Sequence, residues 1–216
     1  MIALAGVLGA LLGAWAVPAV SRALLARALR RGGHVVSTRG CFRGLAAAAG
    51  GLGMGAWASL LVALGLPVSV AATLCLCGLA MAAAVACDVR MRLIPWESCA
   101  AMAAAGAAAQ LLARGAWGLV WGAACGVAVL GVCAAVNAGF RRLRGEEAVG
   151  GGDLRCMAAL SLASGPAAAT GFALSYLAAA LVGGCAVALR RMDAHQGMPM
   201  APFYVPWLVC AALCCA

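Results

Sequence analysis

The feature that most constrains this chain is a pair of apolar stretches, residues 68–87 and 119–138, without a single charged side chain. Each is about 20 residues long, the length of helix that crosses the hydrocarbon core of a bilayer. They are apolar on all sides instead of alternating, which favours helices over a transmembrane barrel. With 66% hydrophobic and 10% charged residues, the chain predicts an all-α, polytopic bundle of about eight spans, one integral-membrane domain over residues 1–216.

The charged residues are concentrated between the apolar stretches. All fifteen basic residues are arginines, and arginine-rich loops are typical of the cytoplasmic side of a membrane protein. The net charge of +9 therefore predicts contact with anionic lipid and not with nucleic acid. In the predicted topology every arginine except Arg114, and all six acids, lie on the cytoplasmic side. Residues 21–44 are predicted to form a short basic cytoplasmic loop.

The twelve cysteines do not indicate a metal site or a disulfide framework. Most of them lie in or at the ends of apolar stretches, where a thiol acts as a small hydrophobic group. Paired C-x-x-C motifs, which are typical of zinc sites, do not occur in the sequence. The sequence therefore predicts neither a metal nor a cofactor, and Asp193 and His195 are interpreted as solvated loop residues.

Two acids, Asp88 and Asp153, stand at the edges of apolar stretches. A carboxylate at a membrane edge is energetically costly and is therefore a candidate functional group. Two neighbouring carboxyls can share a proton, so that one takes a proton from water while the other polarises a peptide carbonyl. We interpret the two acids as a catalytic pair. A structural alternative stays open, because Asp is a favoured helix N-cap, glycines form loops, and an Asp at the membrane edge can extend towards water.

Prolines and glycines predict where helices begin, turn and pack. Pro95 suits the first turn of a helix, because its missing N–H would have no intrahelical partner there. Arg114 marks a predicted outer turn. Gly118, Gly122 and Gly126 are four residues apart, which places them on one helix face and predicts close approach of a neighbouring helix.

Three motifs stand in series along the chain. The first is Asp88 followed by Ile-Pro, which ends at Pro95, and the second is GGGDLR at 150–155. The third is P-x-x-P-F at 199–203, which contains Pro199 and Pro202. This series resembles the type IV prepilin leader peptidases, which are membrane aspartic proteases of the Gly-x-Gly-Asp class. The resemblance extends from residue 68 to the C-terminus. The prolines of the third motif precede the last helix and are taken as structural.

The resemblance implies roles for the residues that match these motifs. Asp88 and Asp153 would be the catalytic dyad, and Gly150 and Gly152 the motif glycines. Arg155 stands where the family usually has lysine; its cation would either keep Asp153 ionised or contact a lipid phosphate.

The implied activity is removal of the leader from type IV prepilins or pseudopilins, with the active site at the cytoplasmic face of the bacterial inner membrane. Many family members carry two C-x-x-C pairs in a cytoplasmic domain that accompanies N-methylation of the new N-terminus. Here residues 21–44 contain Cys41 alone. The zinc site cannot be built, which argues against methyltransferase activity and for a reduced, peptidase-only member.

Two alternatives remain at this stage. A small transporter or non-catalytic membrane scaffold would use the acids to bind a cation or a partner helix, although a carrier is expected to hold ionisable groups near the middle of the membrane. Another Gly-x-Gly-Asp intramembrane protease would cut different substrates. The Ile-Pro spacing and the P-x-x-P-F segment argue against this second alternative.

Overall fold

A computed structural model describes residues 1–32, 42–190 and 198–216, and within these ranges the chain forms helices and no strand. The predicted all-α class is confirmed. The α-helices, in chain order, are α1 (Ile2–Gly32), α2 (Phe42–Ala63), α3 (Val68–Met91), α4 (Trp96–Arg144), α5 (Gly151–Ser164), α6 (Ala168–Ala188) and α7 (Val205–Cys215). Short 3-10 helices, Gly165–Ala167 and Ala201–Tyr204, precede α6 and α7.

Helix α1 is longer than the sequence predicted, because it continues into the segment expected to be a basic loop. Residues 21–32 are helical. The Ser21 hydroxyl donates to the carbonyl of Val17, and Leu24 and Leu25 are buried, so this part of the helix still packs on the bundle. Arginine is a good helix former, and no glycine or proline interrupts the chain between Pro18 and Gly32. The basic segment is therefore helical over its first half, and residues 33–41 lie outside the described ranges.

Helix α4 folds back on itself at Gly115. This residue has φ 66° and ψ −162°, a conformation outside the helical region. A Cβ placed on Gly118 would lie 2.7 Å from the side-chain oxygen of Gln110, whereas residues eight apart in a continuous α-helix are about 12 Å apart. The two limbs of α4 thus form a hairpin, and the turn predicted at Arg114 lies one residue further on.

Helix α5 lies in the centre of the bundle. Met157 and Leu160 are fully buried, and α5 packs against both limbs of α4. Gly122 and Gly126 face Ser161 of α5, so the predicted packing face is confirmed for these two glycines. The chain then reverses through Gly165–Ala167. The reversal brings the Tyr176 hydroxyl of α6 to 3.6 Å from the Met157 sulfur of α5.

Several helices are suited to a membrane, and the chain is an integral membrane protein. By length and composition, four of the described segments could cross a bilayer, and two shorter helices are also apolar. Two of the four segments, Trp96–Arg144 and Gly151–Ala188, contain the reversals described above. The count of eight spans stays a prediction.

Candidate active site

Asp88 lies in the last turn of α3, at the end of a buried apolar face. The helix ends where Arg92 adopts a left-handed conformation and its N–H bonds to the carbonyl of Asp88, 2.8 Å away. The Asp88 side chain is only 6% exposed. One of its carboxyl oxygens, Oδ2, accepts a hydrogen bond from the backbone N–H of Ala201 at 2.9 Å. The carboxyl group is thus held from a segment 113 residues further along the chain.

Asp153 lies in the first turn of α5 and is not the N-cap of that helix. The N-cap residue is Gly150, and no side chain caps the helix. The phenolic hydroxyl of Tyr204 donates instead to Asp153 Oδ1, at 2.9 Å. The helix-cap interpretation of Asp153 is therefore wrong, and the half-buried carboxyl is held by a tertiary contact.

Both acids are held by the same short element, the 3-10 helix Ala201–Tyr204. Its first residue donates to Asp88 and its last residue donates to Asp153. A four-residue 3-10 helix is about 8 Å long at roughly 2 Å per residue, so the groups that hold the two carboxyls belong to one short element at one end of the bundle. The two carboxyl groups are close enough to interact electrostatically. Sequence positions 65 residues apart thus form one polar site.

An aromatic cluster holds this 3-10 helix in place. Tyr204 is fully buried and meets Trp207 edge-on, with ring centroids 6.3 Å apart. Trp207 packs against the backbone of Gly171 and meets Phe172 at 5.9 Å. Pro202 stands in the first turn of the 3-10 helix, where a missing N–H costs no hydrogen bond. The Tyr204 hydroxyl is therefore presented to Asp153 by a ring with little freedom to move.

The motif glycines differ in what surrounds them. A Cβ on Gly152 would lie 3.3 Å from the Cβ of Ile94, so this glycine allows the segment before Pro95 to approach the start of α5. A Cβ on Gly150 would lie 3.5 Å from Asp153 Oδ2, an ordinary contact. The contact at Gly152 thus joins the linker that follows α3 to the beginning of α5.

The other predicted site residues lie around this centre. Pro95 is the N-cap residue of α4, one position before the predicted first turn, and Ser98 donates to its carbonyl at 2.9 Å. Pro199 lies in the irregular segment just before the 3-10 helix, and Pro202 lies inside it. Arg155 is exposed, and its guanidinium lies near Gly151 over the first turn of α5.

Among the described residues, no group of three or more His, Cys, Asp or Glu side chains is placed to hold a metal ion. Asp193 and His195 lie outside the described ranges.

Sequence reasoning missed two groups that contact the acids. The Ala201 N–H belongs to the backbone and carries no side-chain signal. Tyr204 follows the P-x-x-P-F segment directly, and the position of that segment before the last helix was the only available clue. The segment is interpreted as structural, whereas its Ala201 N–H donates to Asp88 and the Tyr204 hydroxyl directly after it donates to Asp153.

Comparison with known proteins gives one match. A family model described as the type IV leader peptidase family matches residues 73–188, which is more than half of the chain and includes both acids and the glycine run. The match ends before the 3-10 helix that contacts the acids. No curated protein and no solved structure matches the chain.

Proposed function

The chain belongs to the type IV leader peptidase family, and on that premise we propose that it is an aspartic endopeptidase in which Asp88 and Asp153 are the catalytic dyad. One observation carries the assignment: a single four-residue 3-10 helix hydrogen-bonds both carboxyl groups. Such an arrangement is more than either acid needs for a structural role, because each acid could reach the membrane interface alone.

The proposed chemistry is direct attack of a water molecule on a peptide carbonyl. Two adjacent carboxyls hold one proton between them, because two negative charges at close range repel each other. The ionised group takes a proton from the attacking water, and the protonated group donates to the carbonyl oxygen. The contacts to Ala201 and Tyr204 each engage one oxygen of an acid, so the reaction would use the other oxygen. No covalent acyl-enzyme is formed.

The proposed substrate is a type IV prepilin or a pseudopilin, whose leader is removed just before its apolar helix. The active site would face the cytoplasm from the bacterial inner membrane, and residues 1–216 would form one peptidase domain. The arginine-rich segments between the apolar stretches, which are predicted to lie on one side of the membrane, support this orientation. N-methylation is not part of the proposal, because residues 21–44 contain a single cysteine.

Co-expression with a prepilin or pseudopilin from the same genome, in a host that lacks its own leader peptidase, tests the activity. The intact mass of the pilin reports whether the leader is removed. We expect cleavage by the wild type and none by Asp88→Asn or Asp153→Asn at equal membrane levels. Failure of the folded wild type to cut several candidate substrates would overturn the proposal. Cleavage by both variants at the wild-type level would overturn the dyad alone.

A further inference from the structure

An apolar groove of about 710 Å³ opens on the side of the bundle where α1, α2, α3 and α7 meet. Its volume lies within the range of ligand sites, about 300–1,000 Å³. Every described residue of its lining except Arg90 is apolar. Along α2 the exposed residues Ala49, Gly53 and Ala56 form its open edge. The groove therefore faces outwards between helices that lie in a membrane.

Trp57 forms part of the apolar lining of the groove. The indole N–H of Trp57 donates to the carbonyl of Leu74 at 2.9 Å, so the one polar atom of this side chain is already paired. The ring lies directly against Gly78, where a Cβ would stand 2.6 Å from it. A larger residue at 78 would displace the ring. This part of the groove is thus an apolar surface, because the indole N–H of Trp57 is already hydrogen-bonded.

One end of the groove lies beside Asp88. At one end its lining includes Val89 and Arg90, which follow Asp88 directly in α3. Val205, which follows Tyr204 directly, lines the same end. From Gly78 to Val89 the groove follows α3 for about 16 Å, at 1.5 Å per residue. A chain lying in the groove therefore reaches the proposed site of cleavage at its end.

Small residues make the groove suited to a helix. Gly53 and Ala82 belong to its two side walls, and small side chains in membranes let helix backbones approach closely. No described atom lies within 4 Å of a Cβ placed on Gly53. An arginine at the end beside Asp88, with apolar residues along the remainder, matches a segment that begins at the membrane interface and continues into the hydrocarbon.

We propose that this groove binds the apolar helix that follows the scissile bond of the substrate. The inference rests on the proposed function and adds a binding surface to it. With the scissile bond at the acids, the substrate helix runs along α3 towards Gly78. Because Trp57 contacts Gly78, Gly53 lies one turn of α2 from that level. Because α2 and α3 run antiparallel, Gly53 lies nearer than Gly78 to the Asp88 end of the groove. The substrate residues beside Gly53 are then about six positions beyond the cleaved bond, which corresponds to roughly 9 Å of helix.

A matched pair of glycine substitutions tests the groove by activity. Gly53→Leu fills it, whereas Gly131→Leu places the same side chain at another exposed helical glycine that also has no described atom within 4 Å. We expect Gly53→Leu to lower the cleavage rate of a full-length substrate about tenfold, since a displaced scissile bond is cut slowly. Gly131→Leu should match the wild type. Equal rates for the two variants would overturn the groove while leaving the peptidase assignment intact.

Photo-crosslinking keeps the test independent of turnover and of the folding of the leucine variant. A benzophenone amino acid is placed at position 53 or 131 of the full-length Asp153→Asn protein, and the uncut substrate is co-expressed in membranes. We expect position 53 alone to capture the substrate, about six residues beyond the scissile bond. Capture only of lipid, or of a second copy of this chain, would overturn the proposal. If the wild type cuts no substrate at all, the proposed function has failed and not merely the groove.

Discussion

The α1–α2 hairpin and the end of the bundle that holds the two acids are built in opposite ways. In the hairpin, glycines bring two helix backbones together: a Cβ on Gly55 would lie 2.9 Å from the carbonyl oxygen of Gly6, and a Cβ on Gly13 would overlap the carbonyl of Gly50. At the acids, the contacts are hydrogen bonds between a carboxyl group and a distant segment of chain. The hairpin depends on the absence of side chains, and the site depends on particular polar groups.

The two regions are therefore expected to differ in whether a substitution changes stability or the rate of reaction. Packing without a strong driving force between helices is typical of membrane proteins, where small residues permit close van der Waals contact. Hydrogen bonds to a carboxylate contribute about 1.5–3 kcal/mol each, and their loss acts on the group that reacts. Substitutions in the hairpin should therefore change the folded fraction, whereas substitutions at the site should change the rate per folded molecule.

Among substitutions outside the two acids, Tyr204→Phe is expected to have the largest effect on that rate. It removes the hydroxyl that donates to Asp153 and leaves the buried ring in its aromatic cluster. We expect a rate of leader removal about 10–100-fold lower, the equivalent of roughly 1.4–2.8 kcal/mol. The rate is measured per folded molecule, with purified protein in detergent or lipid. An unchanged rate would separate Tyr204 from the chemistry.

Gly13→Ala is expected to act on stability alone. The added methyl group meets the backbone of Gly50 and the side chain of Met54, neither of which can move cheaply. Overpacking of this kind costs about 1–3 kcal/mol, so thermal unfolding in detergent should shift to lower temperature. Gly131→Ala is the control, because no described atom lies near that position. A lower rate per folded Gly13→Ala molecule would break the distinction between the two regions.

Gly152→Ala is expected to have a smaller effect that combines both kinds of contact. The methyl group would lie 3.3 Å from the Cβ of Ile94, close enough to push α5 away from the segment before Pro95. Because Asp153 is the next residue, a shift of a few tenths of an ångström should lower the rate by less than about tenfold. Steady-state kinetics with Gly131→Ala as the matched control measures it. A rate equal to that of the control would show that the contact at Gly152 does not position the acid.

Much of the architecture could be predicted because membrane helices are encoded locally. Uninterrupted apolar stretches predict the all-α class, and Arg114 marks a predicted turn one residue from Gly115. These signals lie in short segments of sequence. The extent of α1 is not predicted, because an arginine-rich segment indicates a loop between membrane spans, although arginine is also compatible with a helix.

The site was predictable only in part, because its contacts join distant segments. Both acids stood out as charges at the edges of apolar stretches. The Ala201 N–H has no sequence signature, and nothing local to Tyr204 indicates that its hydroxyl reaches Asp153, 51 residues away. Such contacts depend on the packing of α3, α5 and the last 3-10 helix together. The sequence therefore indicates which groups are candidates for catalysis and not what holds them.

The measurement that tests the central claim most directly compares Asp88→Asn, Asp153→Asn and the double variant in one cleavage assay with purified protein. If the two carboxyls act as a unit, removal of either abolishes the shared-proton chemistry, and removal of the second changes little more. We predict losses of at least about 10³-fold in each single variant and the same residual rate in the double variant. Losses that multiply in the double variant, or a single variant that keeps most of its activity, would contradict the account.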